Sequence, residues 1–288
     1  MDFLVRKLEK NEFPEKLLEI PEPPKELYIR GKMWNPEDKL LAIVGSRSFS
    51  PYGKQVVEHL ISGLAGQNII IVSGLAMGID SLAHQAALNY GLNTIAVPGS
   101  GLNDDILCPV TNRKLAREIL ESEGCLLSEF EPEAKSMIHF FPQRNRIMAG
   151  LCDAVLIVEA EIKSGTLITA RLATEYNRDV LTIPGSIFSK TTEGPHMLLK
   201  LGATPIRTST DILDALHIAH LEGENISEKR YKDLTPEEMK IIESLGSPTP
   251  KDELIQKVNL PTNQVQGLLM MLEIKGLIKE EYGEIRLT

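Results

Sequence analysis

Cysteine, tryptophan and long apolar runs are all scarce in this chain of 288 residues. Its three cysteines, Cys108, Cys125 and Cys152, include no CxxC pair, which favours buried thiols over a disulfide framework or a zinc site. No apolar run approaches the roughly 18 residues that span a bilayer, and the N-terminal residues are too charged for a signal peptide. We therefore expect a cytoplasmic protein that does not contact a membrane.

A surplus of basic residues is also missing, because 31 Lys and Arg face 40 Asp and Glu, for a net charge of −9. This balance disfavours a protein that binds any duplex with its whole surface. It does not exclude a local cationic groove, because affinity for nucleic acid depends on the phosphates neutralised at the site itself.

The sequence pattern divides the chain into four segments. Residues 1–36 are rich in proline and charge, and we expect an extended or helical segment there. Residues 37–220 alternate short β-branched runs with helical patterns, residues 221–233 are polar and look like a linker, and residues 234–288 form a separate helical pattern.

The alternation in residues 37–220 predicts a doubly wound sheet. The candidate strands are LLAIVG, NIIIVSG, NTIAVPG, CLLSEF, DAVLIVEA and DVLTIPG. They are apolar on both faces, as parallel strands covered by helices on both sides are. Ser50 and Pro51 fit the N-cap and first position of a helix after the first of them. The expected fold is an extended Rossmann-like, doubly wound, mostly parallel α/β sheet.

The C-terminal segment is typical of a small winged-helix domain. It opens with a capping box of Thr235 and Glu238, continues with two short helices, and ends in two strands joined at Tyr282-Gly283. Residues 234–288 hold six basic and nine acidic side chains. A helix that reads a major groove should be basic, and the third helix offers only Lys275. We therefore expect this domain to contact mainly protein.

Glycine and hydroxyl side chains follow the first two strands. Gly45-Ser46-Arg47 follows the first strand, and residues 73–80 bring Ser73, Gly74 and Gly78 ahead of a helix. Backbone N–H groups at a helix start bind anions. The spacing is not the GxGxxG fingerprint, which disfavours a nicotinamide or flavin enzyme. Asp80 is expected as the N-cap of the helix, and His84 as a structural side chain.

A third turn of the same kind follows DAVLIVEA, where Lys163 precedes Ser164, Gly165 and Thr166. A cation beside hydroxyl and backbone donors suits a phosphate group. Parallel strands end at one edge of a sheet, so the three turns are expected to lie together.

An aromatic and cationic segment lies just upstream, with Phe140 and Phe141 before Arg144, Asn145 and Arg146. Rings and guanidinium planes stack on unpaired bases while cations meet phosphates. We expect at least one of the two arginines to be internal, for example by pairing with a carboxylate. The candidate nucleic-acid-binding residues are Gly45, Ser46, Arg47, Ser73, Gly74, Gly78, Phe140, Phe141, Arg144, Asn145, Arg146, Lys163, Ser164, Gly165 and Thr166.

No acid–base pair, Ser–His–Asp order or metal-ligand cluster accompanies these turns in the sequence. We therefore expect a non-catalytic protein without a cofactor or metal. Two alternatives stay open. One is a nucleotide-processing enzyme of the phosphoribohydrolase type, although its PGGxGTxxE motif is only partly echoed at Pro98–Gly101 and Pro184–Ser186. The other is an interaction scaffold that binds no nucleic acid.

Several motifs together resemble the bacterial DNA processing protein A family, called DprA or Smf. They are AIVGSR, SGLAMGIDSLAH, FPQRNRIMAGL, KSGTLITARLA, and IPGSI followed by GPHMLLKLGA. The resemblance implies a homodimer that binds single-stranded DNA and loads RecA recombinase onto it in natural transformation or recombination. It also implies that Arg47 faces a phosphate, that Phe141 stacks on a base, and that Lys163 completes the groove. The SKTTEGPH loop departs from the family pattern.

Overall fold

The computed structural model describes residues 3–218, 234–245, 249–258, 260–281 and 283–287. The chain forms two compact units, residues 1–221, here called the α/β unit, and residues 222–288, here called the winged-helix unit. The linker predicted at 221–233 lies outside the described residues.

A nine-stranded sheet forms the centre of the α/β unit, in the order β1-β2-β6-β5-β4-β3-β7-β8-β9. Strands β6, β5, β4, β3, β7, β8 and β9 pair in parallel with their neighbours. Strand β2 pairs antiparallel with both β6 and β1. The six predicted strands are β3 to β8, so the mostly parallel α/β fold is confirmed. The strands are β1 Val5–Lys7, β2 Tyr28–Gly31, β3 Lys39–Val44, β4 Ile69–Ser73, β5 Thr94–Ala96, β6 Cys125–Ser128, β7 Ala154–Ile157, β8 Asp179–Thr182 and β9 Thr204–Pro205.

Helices cover both faces of this sheet. They are α1 Glu15–Leu18, α2 Pro51–Ser62, α3 Ile79–Asn89, α4 Arg113–Glu121, α5 Phe140–Leu151, α6 Thr166–Glu175, α7 Glu193–Lys200 and α8 Ser209–Ala215. Alternate residues of β3 enter two different cores, because successive side chains of a strand point to opposite faces. Ala42 packs with residues of α5 and α6, and Ile43 packs with residues of α2, α3 and α8.

The predicted start of α2 is confirmed. The Ser50 side chain accepts a hydrogen bond from the Gly53 N–H, and Pro51 takes the first helical position.

The N-terminal segment adds two strands that the sequence pattern did not predict. β1 is only three residues long, and it pairs with β2, which joins the sheet at β6. Leu17 of α1 is fully buried in the core beside α5, so this segment is part of the α/β unit.

The winged-helix unit has three helices and a three-stranded sheet in the order β10-β12-β11 among its described residues. These elements are α9 Pro236–Ser244, β10 Thr249–Pro250, α10 Lys251–Val258, α11 Thr262–Ile274, β11 Ile278–Glu281 and β12 Glu284–Leu287. The capping box is present, since the Thr235 side chain accepts from Glu238 N–H and the Glu238 side chain accepts from Thr235 N–H. The predicted winged-helix domain is therefore confirmed.

None of the described helices is both long and apolar enough to cross a membrane.

Candidate nucleic-acid interface

Strands β3, β4, β5, β7 and β8 all end at one edge of the sheet, here called the carboxyl edge. In open α/β sheets this edge is where ligands bind. The turns after β3 and β4 touch each other there. Ile79 N–H donates to the Ser46 carbonyl over 3.1 Å, and a Cβ on Gly78 would lie 2.5 Å from Arg47 Cα. Gly78 also has φ +91°, so only glycine fits this close approach without strain.

Arg47 and Phe141 meet at the carboxyl edge. The guanidinium carbon of Arg47 lies 5.4 Å from the centroid of the Phe141 ring, within the range of a cation–π contact. Phe141 lies in the first turn of α5 and packs on Gly99 after β5, where an added Cβ would be 2.7 Å from the ring. The Arg47 side chain is exposed and forms no ion pair with any described residue. The exposed Arg47 guanidinium therefore lies over the half-buried Phe141 ring.

The turn at Lys163 is bonded to the two elements that carry Arg47 and Phe141. The Thr166 hydroxyl donates to the Gly45 carbonyl over 3.1 Å, and the Asn145 amide donates to the Gly165 carbonyl over 3.4 Å. The first bond joins this turn to the turn after β3, and the second joins it to α5. Lys163 is exposed and has no ion-pair partner in the described part of the chain. Thr166 and Asn145 thus position the turn, while Lys163 remains available to an anion.

Arg144 was a candidate for binding nucleic acid, but it lies inside the protein, as was expected for at least one of the two arginines. It is 5% exposed, and its Nη1 donates to the carbonyls of Gly74, over 2.5 Å, and of Val97. The Gly74 N–H in turn donates to the Asp80 carboxylate over 3.1 Å. Burial lowers the pKa of Arg144, and the nearby Asp80 carboxylate partly offsets this. Burial likewise raises the pKa of Asp80. Arg144 therefore holds the turns after β4 and β5 together and does not reach the surface.

Arg146 is also engaged internally. It pairs with Glu129 and donates to the Glu22 carbonyl over 2.7 Å, so the expected carboxylate partner of one arginine is present. Phe140 stacks on Phe130 with the ring centroids 3.8 Å apart. The aromatic and cationic segment therefore splits, and only Phe141 faces the cation of the first turn.

Ser73 and Asp80 also have interior roles. Ser73 is fully buried, and its hydroxyl donates to the Ile43 carbonyl over 2.6 Å. Asp80 as an N-cap is wrong, because α3 begins at Ile79 with Gly78 at the cap, and the carboxylate of Asp80 serves Gly74 instead. The Ser46 hydroxyl donates to the Ser48 carbonyl over 2.8 Å within its own turn.

His84 has the structural role that the sequence indicated. It is fully buried, and its Nδ1 lies 2.7 Å from the Thr94 hydroxyl. Burial lowers the pKa of His84 to about 3, so the ring is neutral at physiological pH and cannot donate a second proton. Within the described residues, no three His, Cys, Asp or Glu side chains are grouped as metal ligands.

Glu159 is a residue of this edge that sequence reasoning missed. Its carboxylate is 1% exposed and accepts hydrogen bonds from the Ser50 N–H, the Ser50 hydroxyl and the Thr191 hydroxyl, at 2.6–2.9 Å. The available signal was an acidic residue directly after a buried apolar strand. Such a carboxylate requires internal donors.

This architecture defines a class of proteins in which a Rossmann-like sheet with a cationic, glycine-rich carboxyl edge is joined to a winged helix. The family model for DNA recombination-mediator protein A matches residues 5–217, and the model for the DprA winged helix domain matches residues 227–284. The chain belongs to this family, known as DprA or Smf.

Curated relatives agree with this assignment. Protein Smf of Escherichia coli (strain K12) is 36% identical over 272 residues, which cover 92% of this chain and 72% of the relative. DNA processing protein DprA of Streptococcus pneumoniae is 42% identical over 201 residues, which cover 70% of each.

Solved structures agree as well. The X-ray structure of DprA from Streptococcus pneumoniae has a TM-score of 0.67 at 39% identity and covers 74% of both chains. The structure of DNA processing protein A from Helicobacter pylori, described for its single-stranded DNA binding mode, has a TM-score of 0.66 at 32% identity. It covers 75% of this chain and 96% of that one.

Proposed function

We propose that this protein is a non-catalytic single-stranded DNA-binding protein that protects the strand and helps to load RecA recombinase onto it during natural transformation or homologous recombination. The observation that carries the proposal is the Arg47 guanidinium above the Phe141 ring at the carboxyl edge. Membership of the DprA family supports it. The Helicobacter pylori relative, which binds single-stranded DNA, supports it further.

The charge distribution favours an unpaired strand over a duplex. The chain carries a net charge of −9, and two of the four candidate cations, Arg144 and Arg146, are engaged inside the protein. Of the two exposed cations, Arg47 lies over the Phe141 ring, and Lys163 lies on a turn that bonds to Gly45 and Asn145. A ring contributes to binding only when a base is unstacked, which a single strand allows and a duplex does not.

The partners belong to the same proposal. RecA and a homodimeric assembly follow from the family resemblance, a cytoplasmic location follows from the composition, and the winged-helix unit is proposed to contact protein. Lys275, at the C-cap of its third helix, bonds to Glu238 over 2.7 Å. The same helix exposes Met270, Met271 and Ile274, which are side chains suited to a protein partner.

Titration of the full chain with a 15-residue oligothymidine at several salt concentrations tests the function. We expect binding that weakens with salt, with a slope of about −0.7 per phosphate contact, and weaker binding of a duplex of equal length. Equal or tighter binding of the duplex would contradict the proposal. Incubation with nucleoside monophosphates tests the phosphoribohydrolase alternative, since release of free base would show an enzyme.

Phe141→Leu should weaken binding of the oligothymidine by about 1–3 kcal/mol, the range for one lost base–aromatic stack. Leucine keeps an apolar side chain on Gly99 but has no ring face. Fluorescence anisotropy with a labelled strand measures the change, and the salt slope should stay the same because no charge is removed. Phe141→Trp is the matched control and should bind like the parent. Parental affinity of Phe141→Leu would show that the ring holds no base.

A further inference from the structure

A fully exposed ring lies on the loop after β8, residues 184–192, here called the 184–192 loop. Phe188 is 91% exposed, and its neighbour Ile187 is 79% exposed. Covering such large apolar side chains with a ligand would remove apolar surface from water, which is favourable. This loop contains the SKTT residues at which the sequence departs from the family pattern.

The backbone that presents Phe188 is held by its own hydrogen bonds. Phe188 N–H donates to the Ser186 hydroxyl over 3.2 Å, and Ser189 N–H donates to the Ser186 carbonyl over 3.1 Å. The Thr192 hydroxyl donates to the Ser189 carbonyl over 2.8 Å. A loop ordered in this way loses little conformational entropy when it binds a ligand.

The loop is also tied to the Arg47 turn. Glu159 accepts from the Thr191 hydroxyl of the loop and from Ser50, which lies three residues after Arg47. The Tyr52 hydroxyl adds a second tie by donating to the Pro184 carbonyl over 2.7 Å. The 184–192 loop is therefore continuous with the part of the carboxyl edge where Arg47 meets Phe141.

The charge of the loop fits a polynucleotide. Residues 184–192 contain Lys190 and no Asp or Glu, and Lys163 lies on the neighbouring turn after β7. Both lysines are exposed, and neither has an ion-pair partner among the described residues. Lysine is depleted in the cores of protein interfaces, whereas cations beside an exposed ring are the usual platform for a single strand.

The strand order gives the length of this surface. Phe141 packs beside the end of β5, and β8 lies four strand positions away along the order β5-β4-β3-β7-β8. Four strand spacings amount to about 19 Å. A strand stacked at about 3.4 Å per nucleotide would need about six nucleotides to cover this distance.

The geometry points to a second base-binding subsite at the 184–192 loop. A single strand held at Arg47 and Phe141 continues along the carboxyl edge past Lys163 and stacks a base on Phe188. This inference rests on the function proposed above, and it extends the interface to a residue that the family resemblance did not assign.

Phe188→Ala in the full chain tests the subsite. We expect affinity for the 15-residue oligothymidine to fall about tenfold, as for one lost stack, with an unchanged salt slope. Phe188→Trp should retain the parental affinity because it keeps a ring. Lys190→Ala should lower the salt slope by about 0.7, the value of one single-strand phosphate contact. Leu18→Ala removes another exposed apolar side chain and should change nothing.

The outcomes separate the subsite from the function. If the parent binds the oligothymidine and Phe188→Ala binds equally well, the subsite is overturned while the proposed function stands. If Phe188→Trp loses as much affinity as Phe188→Ala, stacking on this residue is overturned as well. If Phe188→Ala binds the oligothymidine like the parent but has a different oligomeric mass, the loop belongs to an interface between protein copies. If the parent does not bind the strand at all, the proposed function itself fails.

Discussion

Arg144→Met should lower the free energy of unfolding of the α/β unit by about 3–5 kcal/mol, the range for removing one member of a buried charge pair. Methionine fills a similar volume but carries no charge and no donors. The Gly74 and Val97 carbonyls would lose their hydrogen bonds, and the buried Asp80 would lose the positive charge that offsets its burial. Chemical denaturation of the full chain measures the change.

Arg171→Met is the control, because Arg171 is exposed on α6 and pairs with Glu175 over 3.4 Å. It should change stability by less than about 0.5 kcal/mol. Asp80→Asn added to Arg144→Met should recover part of the loss, because it removes the carboxylate that the first change leaves unpaired. If Arg144→Met keeps parental stability and loses DNA affinity instead, the arginine reaches the strand and its assignment as an interior residue is wrong.

Arg47→Ala should weaken binding of the oligothymidine at least about tenfold, since a hydrogen bond to a charged group contributes about 1.5–3 kcal/mol. The salt slope should become shallower by about 0.7 for one lost phosphate contact. Arg47 is exposed and forms no ion pair in the described part of the chain, so stability should not change. Anisotropy titrations at several salt concentrations measure both effects.

Arg47→Lys separates charge from shape. Lysine keeps the positive charge, so the salt slope should stay parental. It lacks the planar guanidinium that stacks over Phe141 and can donate two hydrogen bonds to one phosphate. We expect an affinity between those of the parent and Arg47→Ala. Lys114→Ala, which removes an exposed cation on α4, should bind like the parent. Parental affinity and slope for Arg47→Ala would remove this arginine from the interface.

The arrangement of the turns could be predicted because it follows from rules of chain geometry. Apolar runs separated by helical patterns predict parallel strands, and the ends of parallel strands share one edge. The contact between Ser46 and Gly78 is a direct result. Strand β1 could not be predicted in this way, because Val5–Lys7 is too short for a periodic pattern and depends on pairing with β2.

The positions of the arginines could not be predicted from the sequence, since arginine is usually exposed and is buried only with partners. The partners of Arg144 come from turns far away in the chain, at Gly74 and Val97. Glu129, the partner of Arg146, lies at the end of the candidate strand CLLSEF, where nothing in the sequence relates it to Arg146. A two-residue offset explains the error at Asp80, because Gly78 adopts a positive φ as the N-cap and lets the helix begin at Ile79.

The buried carboxylate of Glu159 joins three separate pieces of chain, namely the end of β7, the start of α2 and the 184–192 loop. Moving any one piece away would leave this carboxylate short of donors in the interior, which is costly. Slow local opening should therefore release these pieces together as one cooperative unit. The surface beside Arg47 would then keep its shape until much of the carboxyl edge unfolds with it.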